Sequence, residues 1–156
     1  CIQWQPNLVL IKSGTQLGCA WSQGWSQGTE VDGCFADATY WSVLDRSPQH
    51  GGRWVNHKLE FDGGNAHKLV HGVSWQIFPT QNPILLRSGR LLVPVTLEHS
   101  SPMARRAAVL ISDDDGEHFT LSNGTWPADH LQGQWETTVW EPTNSRNSTE
   151  VWMCGH

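Results

Sequence analysis

The side chains that could do chemistry here are carboxylates and imidazoles set beside strand-like segments. The run Trp135-Glu136-Thr-Thr-Val-Trp-Glu141 carries two carboxylates, while Glu98-His99 and the final His156 add a carboxylate and two imidazoles. A half-buried carboxylate rises toward neutrality and an imidazole titrates near it, so Glu136 and His156 could serve as base and acid at neutral pH. Two carboxylates also suit hydrolysis of a glycosidic bond, with Glu98 or Glu141 as the second group. Along a strand, Glu136 and Glu141 point to opposite faces, so at most one of them faces a pocket. A second chemistry is open to the same residues. In β-elimination at a uronate, His156 removes the proton α to the carboxyl group and a positive or amide group neutralises the enolate.

Metal and redox chemistry have less to stand on. His50, His57, His67, His71, His118 and His130 read as surface or turn residues, with no pair at metal-ligand spacing on one element. The four cysteines, Cys1, Cys19, Cys34 and Cys154, contain no C-x-x-C spacing, so no zinc, redox centre or other cofactor is expected.

Strands must hold these groups. Asn7 to Lys12 reads as a strand, Ser13-Gly-Thr as a turn and Gln16 to Trp21 as the return, which makes a hairpin. Ser22 to Gly33 lacks periodicity and reads as a loop, either plain surface or one whose Trp21, Trp25 and Glu30 face a ligand. Strands follow at Ala38 to Leu44 and Trp54 to Phe61, then a polar loop from Asp62 to Gly72. Ile84 to Arg87 and Arg90 to Glu98 flank a turn at Ser88-Gly89. Arg106 to Ser112 and His118 to Ser122 form the next pair, and Glu136 to Glu141 and Glu150 to Cys154 the last. No helical period of useful length occurs, so the fold expected is all-β.

The turn after Arg106 to Ser112 has a pattern of its own. Ser112, Asp114, Gly116 and Phe119 stand as S-x-D-x-G-x-x-(F/W). In such a turn Gly116 can take φ > 0, Asp114 can accept backbone N–H groups, and Phe119 can plug the layer beneath. The same spacing of Ser, Gly and aromatic occurs earlier in Ser47, Gly51 and Trp54, with Gln49 where the Asp would be. Two copies at one spacing argue for an internal repeat.

The pattern resembles an Asp-box, the repeat signature of sialidase-like β-propellers. The run Pro83 to Val95, with Leu92-Val93-Pro94, is similar to that family's apolar strand, turn and "VVP"-like strand ending at the central pocket. Glu136 to Glu141 resembles its E-x-x-V-x-E. The resemblance covers nearly the whole chain. It implies a propeller of the sialidase type, with one four-stranded blade over about 1–61, a second over about 73–122 and the start of a third over about 135–156. The parent would have six or seven blades.

A chain that opens on Cys1 and stops at His156 in the middle of a strand reads as a piece of that parent, so the missing blades are its first partners. Glu136 would be the base acting on a tyrosine nucleophile, and His156 stands where the family has an arginine. Asn82, Glu98 and His99 would contact substrate at strand ends converging on the axis, and the box residues would be structural. Thr96 and Glu98 replace tyrosines that often follow the "VVP" strand, so the sialic-acid pocket is not preserved. The expected activity is an exo-acting glycoside hydrolase on a terminal sugar. The alternatives are a uronate lyase of the rhamnose–glucuronate type and a non-catalytic glycan-binding propeller.

Composition bounds the partners. With 38% hydrophobic and 16% charged residues the 156-residue chain can bury a core, and its formal net charge of −5 argues against nucleic acid or an acidic membrane. Arg105-Arg106 is the one adjacent basic pair. No run is apolar enough for a membrane span. Ten tryptophans suit both a β core and a carbohydrate platform. The sequons Asn123-Gly-Thr125 and Asn147-Ser-Thr149 point to a secreted glycoprotein.

Overall fold

A computed structural model of the chain describes residues 2–3, 7–12, 16–26, 34–45, 52–59, 67–70, 73–98, 105–122, 137–142 and 150–155. Among them there is no helix. Among the described residues thirteen strands form three antiparallel sheets, none of which closes on itself.

The first sheet contains β1 (Ile2–Gln3), β2 (Asn7–Ile11), β3 (Gln16–Ser26), β4 (Cys34–Asp45) and β5 (Arg53–Lys58). Its centre is the β3–β4 pair, with β5 beside β4 and both β1 and β2 on the free edge of β3. The second sheet contains β6 (His67–Val70), β7 (Val73–Pro79), β8 (Ile84–Leu85), β9 (Leu91–Glu98), β10 (Arg105–Ser112) and β11 (Thr120–Leu121). It repeats the plan of the first, with β6 added outside β7. β9 and β10 form the centre, β11 lies beside β10, and β7 and β8 share the other edge of β9. The third sheet is the pair β12 (Thr137–Trp140) and β13 (Trp152–Gly155).

Two expectations change. Residues 67–70, read as part of a polar loop, are a strand paired with β7. β3 runs on to Ser26, five residues into the stretch expected to be a loop, because β4 pairs with it up to Ser26 and β1 pairs with Gln23 and Gly24. A register shift between Gln23 and Gly24 absorbs the irregular sequence there.

The core explains why β9 is so apolar. Leu91, Val93, Val95 and Leu97 join Ala108 and Leu110 of β10, Ile77 of β7, and Ile11, Ala20 and Trp41 of the first sheet in one buried cluster. Leu92, Pro94 and Thr96, which alternate with these, are buried as well, and β12, with Thr137 and Val139 buried, packs against β9. A strand covered on both faces loses the apolar–polar alternation of a half-buried one. Pro94 fits inside it because β7 pairs only as far as Val95 and β8 only with Leu91 and Leu92. Its missing N–H therefore falls in the gap between those two edge strands.

One indole fastens the first sheet to the second. Trp41 on β4 is 1% exposed and meets Phe119 edge-on, with ring centroids 5.5 Å apart. A polar tie lies further along, where Thr39 Oγ1 and Ser22 Oγ both donate to the Ile77 carbonyl, at 2.7 and 3.5 Å.

Candidate functional site

The strand directions divide the molecule into two ends. One is marked by the turn over residues 113–118. There Ser112 Oγ accepts the N–H groups of Gly116 at 2.9 Å and Asp114 at 3.3 Å, and donates to Asp114 Oδ1 at 2.8 Å. Asp114 Oδ1 accepts the His118 N–H at 2.9 Å, and its Oδ2 lies 2.6 Å from His118 Nδ1. Gly116 has φ 92° and Asp115 φ 58°. The bond from the His118 N–H is the largest cause holding the Asp114 carboxyl down at about 2; desolvation, next in size, opposes it, and the His118 ring and Ser112 add smaller lowering contributions. These side chains are spent on fixing the turn.

The same end gathers other turns. Arg90, at the start of β9, forks onto Asp113 with contacts of 2.6 and 2.9 Å, which keeps the Asp113 carboxyl below its ordinary range. Lys12, after β2, lines a cavity at this end together with Arg90 and Asp113. β4 ends and β5 begins here too, with Asp45 opposite Arg53, on either side of the earlier copy of the motif in the sequence. Of its members, Ser47 and Gly51 lie outside the described residues. Trp54 sits within β5 opposite Leu44 and is 40% exposed, whereas Phe119 precedes β11 and packs on Trp41. The two aromatics do not occupy equivalent places.

Glu141 also belongs to this end. Its Oε2 accepts the Arg87 N–H at 3.1 Å and lies 3.2 Å from Arg87 Nε, while Arg87 Nη2 donates to the Pro142 carbonyl at 2.9 Å. Nothing in the sequence signals this tie, since the partners are far apart in the chain. It fixes the direction of β12, which runs from Thr137 toward Glu141 beside the β8–β9 turn.

Of the sequence candidates, Glu98 lies at the opposite end. β9 finishes there at Glu98, whose backbone stands in register between Gln76 and Arg105, with His67 opposite Gln76. β12 begins with Thr137 paired to Gly155, roughly 13 Å along the strand from Glu141 and so short of the level of Glu98. Glu136 and His156 are the chain neighbours of that pair; they and His99 lie outside the described residues. Asn82 is exposed and stands apart from Glu98. It falls between Thr80, whose N–H reaches the Pro94 carbonyl at 3.2 Å, and Ile84, which pairs with Leu92. Pro94 and Glu98 are roughly 13 Å apart along an extended strand.

Thr137 adds a group the sequence did not single out. It is fully buried, and its hydroxyl has no hydrogen-bond partner. Among the described residues no group of three or more His, Cys, Asp or Glu is placed to hold a metal ion. No family model, curated protein or solved structure matches this chain.

Proposed function

We propose that this chain is two blades and the start of a third from a sialidase-type β-propeller, and that its parent is a secreted, carbohydrate-active protein. The activity proposed is exo-hydrolysis of a terminal glycoside. Support for the propeller comes from the repeated sheet plan, in which each of the first two sheets has a central strand pair, a return strand after the box-like turn and two short strands sharing the far edge. Stacking of those sheets through Trp41 adds to it.

The observation that carries the site is the separation of the two ends. The turn network of Ser112, Asp114 and His118 and the Arg87–Glu141 tie occupy one end, while Glu98 closes β9 at the other, and Thr137 and Gly155, the chain neighbours of Glu136 and His156, pair on the side of β12 away from that tie. In this proposal Glu136 is the base, His156 the acid, and Glu98 with His99 contacts the sugar. Asn82 stands beside the middle of β9, apart from Glu98.

The test is a panel of terminal glycosides and uronate-containing polysaccharides assayed with the intact protein that carries this chain, beside its Glu136→Gln variant. New reducing ends that disappear in the variant are the expected result. A rise in ultraviolet absorbance from a new C=C bond would reassign the chemistry to a lyase. Binding without turnover would leave a glycan-binding propeller, and full turnover in the variant would remove Glu136 from the site.

A further inference from the structure

β5 is the longest strand on a sheet edge among the described residues. Its 6 residues, Arg53–Lys58, pair with β4 on one side and with no described strand on the other. The pairing with β4 runs from end to end without a bulge, and the strand contains no proline. In a regular antiparallel strand every second residue turns its N–H and C=O away from the partner, so β5 offers a ladder of unpaired donors and acceptors at peptide spacing. Arg53, Trp54, Val55, Asn56 and His57 are all exposed. Trp54 and Val55 stand on opposite faces by alternation and are each 40% exposed, so apolar surface flanks both sides of any strand added there.

The charge of this edge runs against that of the whole chain. Residues 46–59 hold Arg46, Arg53 and Lys58, three of the ten Lys and Arg residues, and none of the fifteen Asp and Glu, in a chain with a formal net charge of −5. Asp45, in register with Arg53, is the one carboxylate opposite the strand, and it lies on the β4 side. The outer edge is left with a basic residue at each end.

That pattern decides between occupants. A second copy pairing antiparallel over all of β5 would set Arg53 of each copy against Lys58 of the other, and like charges directly opposite oppose pairing. An acidic glycan answers the charges but has no alternating amide donors and acceptors to complete the ladder. A peptide with a carboxylate at each end answers both.

We propose that β5 is a docking edge for an extended acidic peptide of about six residues, added antiparallel as a further strand. Carboxylates opposite Arg53 and Lys58 set its register, and apolar residues opposite Trp54 and Val55 cover them. β5 carries none of the residues assigned to hydrolysis, so its occupant is a partner and not a substrate.

Titration of the isotope-labelled intact protein with the end-blocked peptide Glu-Thr-Thr-Val-Val-Glu, followed by amide NMR, should move the amides of Trp54 to His57 saturably. The same peptide with lysine in place of both glutamates should bind at least about tenfold more weakly, and Arg53→Gln, an exchange at an exposed position, should weaken the acidic peptide by about threefold. Two further peptides, N-methylated at the odd or at the even residues, read the backbone part. One should lose binding by about tenfold or more and the other keep it, since only alternate amides face β5. The proposal is overturned by an acidic peptide that leaves these amides unmoved, by methylated peptides that bind alike, or by a lysine peptide that binds equally well. It is overturned too by an oligogalacturonate that moves these amides when the peptide does not, which would make the edge a glycan site, and by concentration-dependent shifts without peptide, which would assign it to a second copy.

Discussion

Gly116 lies so close to the indole of Trp41 that a Cβ built on it would overlap Nε1 of that ring. A residue of the first sheet thus closes over the turn of the second, and Gly18 on β3 bears on the benzo edge of the same ring in the same way. Trp41 is held between two glycines from different sheets.

Alanine at either glycine should therefore destabilise the protein by different routes. Gly18→Ala adds a clash alone, costing about 1–3 kcal/mol, and the smaller ring of Trp41→Phe should recover part of it. Gly116→Ala adds the same overlap to a backbone at φ 92°, so it should cost roughly 3 kcal/mol or more, and Trp41→Phe should rescue it incompletely. Urea unfolding of the two single variants and the two double variants measures both couplings. Equal rescue at the two positions would refute the backbone part of the argument.

The indole N–H carries a second consequence. Nε1 of Trp41 is buried without a hydrogen-bond partner, and a donor in that state opposes folding by about 1–3 kcal/mol. Trp41→Phe removes that donor along with part of the ring, so its cost should fall well short of the roughly 3–5 kcal/mol typical of truncating a buried Trp to Ala. Denaturation of Trp41→Phe beside Trp41→Ala gives the comparison, and equal losses would mean that the unpaired N–H has no weight.

Acid should loosen the turn through Asp114. Its folded carboxyl is held down at about 2, mainly by the His118 N–H, whereas an unfolded Asp titrates near 4. A folded value below the unfolded one gives stability that is fully present above about pH 4 and is lost as the pH falls toward 2. Asp114→Asn should lower stability by about 1 kcal/mol at neutral pH and flatten that acid limb. Thermal melts of the two proteins between pH 2 and pH 6 (roughly the span over which carboxylates titrate) test it; parallel curves would show that another carboxylate carries the acid sensitivity.

How much of this was legible depends on where the determining contacts lie. The hairpin of β2 and β3 and the turn at Ser112 to Phe119 are specified by neighbours in sequence: alternation, a short polar turn, a Gly at positive φ and an Asp two residues after a Ser. The extension of β3 to Ser26 and the strand at 67–70 are imposed by pairing partners, and a local reading of Gly-, Ser- and His-containing segments finds no strand signal in them. Trp41 gave no sign of joining two sheets, because its contacts are Gly18, Gly116 and Phe119, two of them in the other repeat. For the site, spacing on one strand limited Glu136 and Glu141 to one pocket residue. The proposed choice of Glu136 rests on Arg87, a residue no spacing connects to Glu141.

That choice can be tested without knowing the substrate in advance. Glu141 is 20% exposed, and Arg87 holds it through a backbone N–H and a guanidinium at the end of the molecule away from Glu98. A glutamine there still accepts the Arg87 N–H, so Glu141→Gln should preserve the local structure and leave kcat/KM within about twofold of the parent protein on whichever glycoside is turned over. Glu136→Gln on the same substrate should lower kcat by about a hundredfold or more, the usual effect of removing a general base. The reverse outcome, with Glu141→Gln inactive and Glu136→Gln active, would move the chemistry to the box end and make the Arg87–Glu141 pair part of the active site.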